Sequence, residues 1–149
     1  MFEIIEDSGT FFCDRKTAGA VIDAFYDTYR IPDAHSVSVI ILDDTGIADY
    51  NRQLFKKDCP TDVITLLMDE EFEDGYLWGE IYISSETAER EAGNAGTGTD
   101  QEILLYIVHG LFHLLGYTDE TEEDREHMWK TQIDFLSQCG IETETLLKG

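Results

Sequence analysis

The chain has 149 residues, the usual size of one domain, so a single domain over residues 1–149 is expected. Apolar residues make up 42% and aromatic residues 11%, enough to fill a core, which excludes a disordered chain. The net charge of −22, with only ten Lys and Arg, argues against general attraction to nucleic acid phosphates.

The first half of the chain predicts two strands and two helices. Residues 2–6 alternate weakly and predict a strand, after which Asp14 caps a segment whose apolar positions have helical spacing. The β-branched run 37–42 predicts a buried strand, which a turn at 43–46 closes. A second helix is expected over 47–55.

The middle of the chain predicts a pair of strands and a short helix. Residues 62–67 and 77–83 are expected to pair as neighbours, with the acidic segment 69–74 as a loop between them. Ser84 or Ser85 can cap a helix that runs through Ala92. A flexible, glycine-rich connector is expected to follow, made of Gly93, Asn94, Ala95, Gly96, Thr97 and Gly98. This connector lacks the Gly-Lys-Ser/Thr of a P-loop, so no nucleotide cofactor is expected.

The last third predicts a central helix and a final amphipathic helix. Thr99 and Glu102 have the spacing of a capping box, and residues 103–115 are apolar nearly all round, which predicts a buried helix that Gly116 ends. A last helix over 122–138 is expected to end at Gly140. Its predicted buried side chains are Trp129, Ile133 and Leu136. Together these elements predict an α/β (α+β) fold, with a mixed sheet of about four strands packed with about five helices.

The remaining sequence signals concern location and thiol chemistry. Residues 1–7 lack the basic and apolar stretches of a signal peptide, and no apolar run reaches membrane-spanning length, so a cytoplasmic protein without a membrane partner is expected. Cys13, Cys59 and Cys139 are scattered without a C-x-x-C pair, which predicts reduced thiols.

Two histidines on the predicted central helix are candidate metal ligands. His109 and His113 are spaced i, i+4 and therefore project from the same face. Because Gly116 ends the helix, Asp119 can return as a third ligand, which leaves a tetrahedral ion one open position. Hydrogen bonding within a polar pocket is the alternative, although burying two imidazoles among apolar residues favours a specific occupant. Gly110 stands where H-E-x-x-H metalloproteases have their general base, so peptidase chemistry is not expected.

Other charged side chains give weaker signals. Arg52, Lys56 and Lys57 form the only compact basic group, and they are either substrate-binding residues or part of a solvated helix face. His35 and His127 lack the helical pairing and are interpreted as ordinary core or surface histidines.

Residues 109–119, HGLFHLLGYTD, closely resemble the YbeY family signature H-G-x-L-H-L-x-G-Y-x-H, whose three histidines hold zinc. Upstream, residues 58–64 are similar to the family's D-x-P-T-D-V-L, and residues 79–84 are similar to G-D-I-x-I-S; Asn51 adds to the match. The resemblance covers roughly residues 38–136.

The resemblance implies a metal-dependent single-strand endoribonuclease in ribosomal RNA maturation and ribosome quality control. It also implies one α/β domain with one divalent ion, zinc by expectation, in a cleft. The implied partners are ribosomal RNA and ribosomal proteins or pre-ribosomal particles. A set of two His and one carboxylate also suits iron, nickel or manganese.

Two departures from the family pattern matter. Asp119 replaces the third histidine, which places an anion on the ion and should reduce its Lewis acidity. Phe55 stands where many members carry an arginine thought to help catalysis, and Arg52 or Lys56 could substitute. The missing arginine and the acidity leave an alternative, a non-catalytic, metal-stabilised ribosome-assembly factor.

Overall fold

The computed structural model describes residues 1–6 and 14–143, and within them it contains four strands and five helices. The strands are β1 (Phe2–Glu6), β2 (His35–Leu42), β3 (Val63–Phe72) and β4 (Gly75–Ser84). The helices are α1 (Arg15–Tyr29), α2 (Asp44–Phe55), α3 (Ser85–Ala95), α4 (Thr99–Leu114) and α5 (Glu122–Gln138). The predicted α+β class is confirmed. Among these helices, none is long and apolar enough to cross a bilayer.

The four strands form one mixed sheet in the order β1-β2-β4-β3. β1, β2 and β4 run parallel, whereas β3 is antiparallel to β4, with Val63 opposite Ile83. The predicted pairing of β3 with β4 is therefore confirmed. β3 lies at the edge of the sheet, and its first residues border the cleft described below.

The acidic segment 69–74 is not the loop that the sequence predicted. β3 continues to Phe72 and β4 begins at Gly75, so residues 69–72 belong to the strand, and residues 70–72 pair with β4 in an extended hairpin. The register shifts between Leu67 and Glu70, where Asp69 adopts a positive φ of 55°. The prediction was wrong because charged side chains prevent a strand from being buried but do not prevent its backbone from pairing. This end of the hairpin is largely exposed.

The connection before α4 also differs from the prediction. α3 extends through Ala95, and Gly96 ends it with a φ of 75°, so half of the expected flexible connector is helical. The N-cap of α4 is Gly98 rather than Thr99, because the Gln101 side chain accepts a hydrogen bond from the Gly98 amide at 3.1 Å. Glu102 accepts instead from the Thr97 hydroxyl at 3.2 Å.

The core lies on both faces of the sheet because side chains alternate along β2. Val39 and Ile41 face the larger cluster, which α1, α4 and α5 cover, and Leu42 faces the smaller one with Ile47 of α2. Eleven of the sixteen residues of α4 are buried, which confirms the predicted central helix. Phe25, Phe112 and Phe135 pack edge to face between α1, α4 and α5.

The buried face of α5 differs in part from the prediction. Ile133 and Leu136 are buried as expected, but Trp129 is 36% exposed. Met128 and Gln132 take the buried positions, so the helix is turned by about one residue relative to the expected face. The thiols of Cys59 and Cys139 are unbridged, and Cys13 lies outside the described residues.

Gly110 allows α4 to approach β4 closely. A Cβ at this position would lie 2.8–2.9 Å from three side-chain atoms of Ile81, well inside normal contact. The close neighbour of Gly110 is thus the Ile81 side chain. This approach sets the distance between α4 and the sheet. It therefore also sets the positions of His109 and His113, which lie on either side of Gly110.

We expect Gly110→Ala to lower the free energy of unfolding by about 1–3 kcal/mol, because the added methyl group overpacks the α4–β4 contact. Gly93→Ala is the matched control, since Gly93 is also helical but has no atom within 4 Å of an added Cβ. That substitution should raise the free energy of unfolding by up to about 1 kcal/mol. Urea denaturation measures both, and equal stabilisation by the two substitutions would contradict the close approach.

Candidate metal centre

His109 and His113 lie one turn apart on α4, and their rings converge. The two Nε2 atoms are 2.9 Å apart, with the rings nearly perpendicular at 85°. About a quarter of each side chain is exposed, 25% and 26% respectively, although the rest of this helix is largely buried. The predicted i, i+4 convergence is therefore confirmed.

The chain turns back after α4 and brings Asp119 to the same point. Gly116 has a φ of 105°, a backbone conformation that glycine adopts without strain, and the Tyr117 amide donates to the Phe112 carbonyl at 3.0 Å. Arg125 donates to the Asp119 carbonyl at 3.3 Å and ties the returning segment to α5. Asp119 Oδ2 then lies 3.8 Å from His109 Nε2 and 3.6 Å from His113 Nε2.

Each imidazole is oriented by a hydrogen bond at its other nitrogen. His113 Nδ1 lies 2.9 Å from the Tyr117 carbonyl, which can only accept, so Nδ1 donates and the Nε2 lone pair faces Asp119 and His109. His109 Nδ1 lies 2.6 Å from Gln132 Oε1, which orients that ring in the same way. Such partners fix the tautomer and ring position of metal-binding histidines in proteins.

Sequence reasoning missed Gln132, although a signal was present. In α5 the positions 128, 132 and 136 form one stripe at helical spacing, and glutamine interrupts an otherwise apolar face there. Gln132 is 2% exposed, and a polar side chain at such a depth requires a partner. His109 is that partner.

Burial lowers the pKa of His109 below its ordinary value, while the Gln132 hydrogen bond opposes the shift and the neighbouring His113 adds to it. The neutral imidazole is thus favoured near pH 7, and it is the form that offers a lone pair to a metal.

The donor set fits one divalent ion. The Nδ1 partners direct two Nε2 lone pairs toward the Asp119 carboxylate, and all three ligand atoms lie within 4.8 Å of one another. Two nitrogens bound at 2.0–2.1 Å to a tetrahedral ion would be about 3.3 Å apart, somewhat more than the 2.9 Å found here. Facing lone pairs repel unless a cation lies between them. His109, His113 and Asp119 can therefore hold a metal ion.

The three side chains lie in a cleft with a volume of about 800 Å³ between the end of α2, the start of β3 and the end of α4. Lys57 lines the cleft, whereas Arg52 and Lys56 are not among its lining residues. Thr65 also lines it, although the Thr65 hydroxyl is buried and has no hydrogen-bond partner among the described residues. The acidic segment 69–74 does not line the cleft, so it does not cover the triad.

The predicted basic group is not one unit. Arg52 forms ion pairs with Asp49 and with Asp58, the latter at 3.2 Å, so its charge is locally offset. Lys56 ends α2 in a left-handed conformation with a φ of 58°. Phe55 lines the cleft with 50% of its surface exposed. A substrate-binding role for Arg52, Lys56 and Lys57 stays a prediction.

The other histidines lie apart from the triad, as expected. The His35 ring packs against Tyr76 at 4.4 Å, and His127 stacks on Tyr117 at 5.7 Å. Asn51 lines the cleft and donates to the Cys59 carbonyl at 2.9 Å, which holds the segment between α2 and β3.

Fold and site together define an α+β protein with a candidate three-ligand metal centre on its central helix. The sequence model of the family described as "Endoribonuclease YbeY" matches residues 10–140. Curated proteins named "Endoribonuclease YbeY" include one from Syntrophotalea carbinolica, 40% identical over 83% of this chain and 85% of its own, and one from Aquifex aeolicus, 42% identical over 67% of each.

A solved structure gives the same result for the fold. The solution structure of a Thermotoga maritima protein superposes with a TM-score of 0.64 at 25% identity, covering 93% of this chain and 89% of the other. The chain belongs to the endoribonuclease YbeY family.

We expect the neutral His113 ring to carry its proton on Nδ1, because the Tyr117 carbonyl accepts and cannot donate. Long-range ¹H–¹⁵N correlation spectra at about pH 8, where histidine is ordinarily neutral, report the tautomer directly. The exposed His127 serves as the reference for a ring that no such bond fixes. A neutral His113 protonated on Nε2 would contradict the assignment.

Proposed function

We propose that this protein is a metal-dependent single-strand endoribonuclease that acts in ribosomal RNA maturation and ribosome quality control. The observation that carries the proposal is the convergence of His109, His113 and Asp119 in an open cleft. The names of the family relatives support RNA as the substrate. A single domain over residues 1–149, a cytoplasmic location and partners among ribosomal proteins or pre-ribosomal particles belong to the same proposal.

In this proposal His109, His113 and Asp119 hold one divalent ion, zinc by expectation. Such an ion supplies Lewis acidity that polarises a phosphoryl oxygen and acidifies water. Gln132 and the Tyr117 carbonyl hold the two rings in place, so the ligands need not reorganise during the reaction.

Cleft side chains would position the RNA beside the triad. Lys57 can contact a backbone phosphate, and Arg52 and Lys56 are candidates for further contacts at the same end of α2.

A second candidate function is a non-catalytic ribosome-assembly factor that the ion stabilises. Two observations favour it: Phe55 exposes an apolar ring to the cleft, and Asp49 and Asp58 offset the charge of Arg52. The net charge of −22 suits a basic protein surface as the partner.

We expect the protein purified without a tag to contain one equivalent of zinc by elemental analysis, and His113→Ala and Asp119→Ala to contain little. Gln132→Leu should bind zinc about 10- to 100-fold more weakly in chelator competition, because His109 loses the partner that orients it. His127→Ala is the matched control and should bind normally. Equal zinc content in the wild type and both ligand variants would refute the assignment.

We expect zinc-loaded protein to cleave single-stranded RNA, and His113→Ala to lose the activity while His127→Ala retains it. Removing the ion with a chelator should abolish cleavage, and adding zinc back should restore it. Gel analysis of end-labelled RNA measures the rate. Equal cleavage by the wild type and by His113→Ala would identify a contaminating nuclease instead.

The same preparations separate the two candidate functions. A wild-type protein that binds zinc and pre-ribosomal particles but cleaves no RNA would favour the assembly factor. Loss of RNA cleavage in His113→Ala with unchanged particle binding would favour the nuclease.

A further inference from the structure

A second cavity opens directly beside the candidate metal centre. It has a volume of about 250 Å³, lies between α4 and α5, and shares Asp62, Val63, His109 and Asp119 with the cleft. His109 and Asp119 of the triad therefore lie where the two cavities join. The side chains that belong to this cavity and not to the cleft are Leu105, Tyr106, Arg125, Met128, Trp129 and Gln132.

The wall formed by the two helices is apolar and carries one exposed aromatic ring. Leu105 and Met128 are buried, at 6% and 2% exposure, and they form a closed apolar surface. Trp129 is 36% exposed beside them, whereas Trp78 in the core is only 8% exposed. Core packing does not require Trp129 at this position, because α5 already packs on the core through the stripe of Met128, Gln132 and Leu136.

The rim of the cavity is polar and mainly acidic. Asp62 and Asp119 carry exposed carboxylates that accept hydrogen bonds, and Arg125 alone among the described lining residues carries a fixed positive charge. A phosphate group would meet two carboxylates here, which disfavours it. A flat neutral group with amino donors at its edge suits both the ring and the carboxylates.

We propose that this cavity binds one unpaired nucleobase of RNA, stacked on Trp129, next to the phosphodiester at the metal centre. The inference rests on the proposed function for its substrate and adds the subsite that the substrate occupies. The volume accommodates a single base, and only a base that is not paired in a duplex can turn into it. Stacking on an aromatic ring tolerates any base and does not depend on neutralising phosphates, as an acidic protein requires.

The test uses a short 2′-O-methyl RNA, whose integrity a gel checks after each titration, and a series in which one abasic residue is moved along it. We expect the intact oligomer to quench tryptophan fluorescence in the wild type but not in Trp129→Phe, which keeps Trp78 as the internal reference. By fluorescence anisotropy, Trp129→Ala should bind the labelled oligomer about 5- to 100-fold more weakly, and Trp129→Phe should bind within a few fold of wild type.

The abasic series identifies the subsite. At one position of the abasic residue, the wild type and Trp129→Ala should bind equally, because the stacked base is missing there. Phe72→Ala is the matched control, since it removes another exposed aromatic ring, 56% exposed, on the hairpin away from the cavity. It should bind every oligomer like the wild type.

Two results would overturn the inference: Trp129→Ala binding the intact oligomer as tightly as the wild type, or Trp129→Ala remaining weaker at every abasic position. Failure of the proposed function is scored separately, by cleavage of ordinary RNA. Quenching and base-dependent binding without cleavage would retain the subsite and reject the nuclease. RNA cleavage at the same rate in the wild type and in Trp129→Ala, with no fluorescence quenching, would retain the nuclease and reject the subsite.

Discussion

Two imidazole nitrogens that face each other across 2.9 Å are the constraint on which this structure depends. Lone pairs at that distance repel, and the fold holds the two rings in place against that repulsion. Gly110 sets the height of α4 over Ile81, and Gln132 and the Tyr117 carbonyl fix the rings. Packing elsewhere in the chain thus maintains the geometry of the candidate metal centre.

The large negative charge of the protein acts differently on the metal ion and on the RNA of the proposed reaction. It raises the local concentration of a divalent ion at the triad, and it opposes the approach of an RNA backbone. The acidic hairpin segment 69–74 lines neither of the two cavities, so its carboxylates act on RNA only through the general field. Contacts within the site must then supply the affinity that phosphate neutralisation does not.

The sequence contained most of the fold and the candidate ligands, because helical periodicity and a glycine stop are local signals. His109, His113 and Asp119 could be brought together from spacing alone. Gln132 could not, since its contact with His109 joins two helices and depends on how α5 is rotated against α4. The exposure of Trp129 was missed for the same reason, as a rotation of about one residue exchanges buried and exposed faces.

If the site acts on RNA as proposed, preference for single strands follows from its shape. His109 and Asp119 of the triad lie at the junction of a wide cleft containing Lys57 and a narrower cavity containing Trp129. A duplex keeps its bases stacked inside and has none to place in the narrow cavity. An unpaired strand can place a base in the narrow cavity and its phosphodiester beside the ion. The preference for single strands would then arise because only an unpaired strand fits the site, and electrostatic attraction would contribute little.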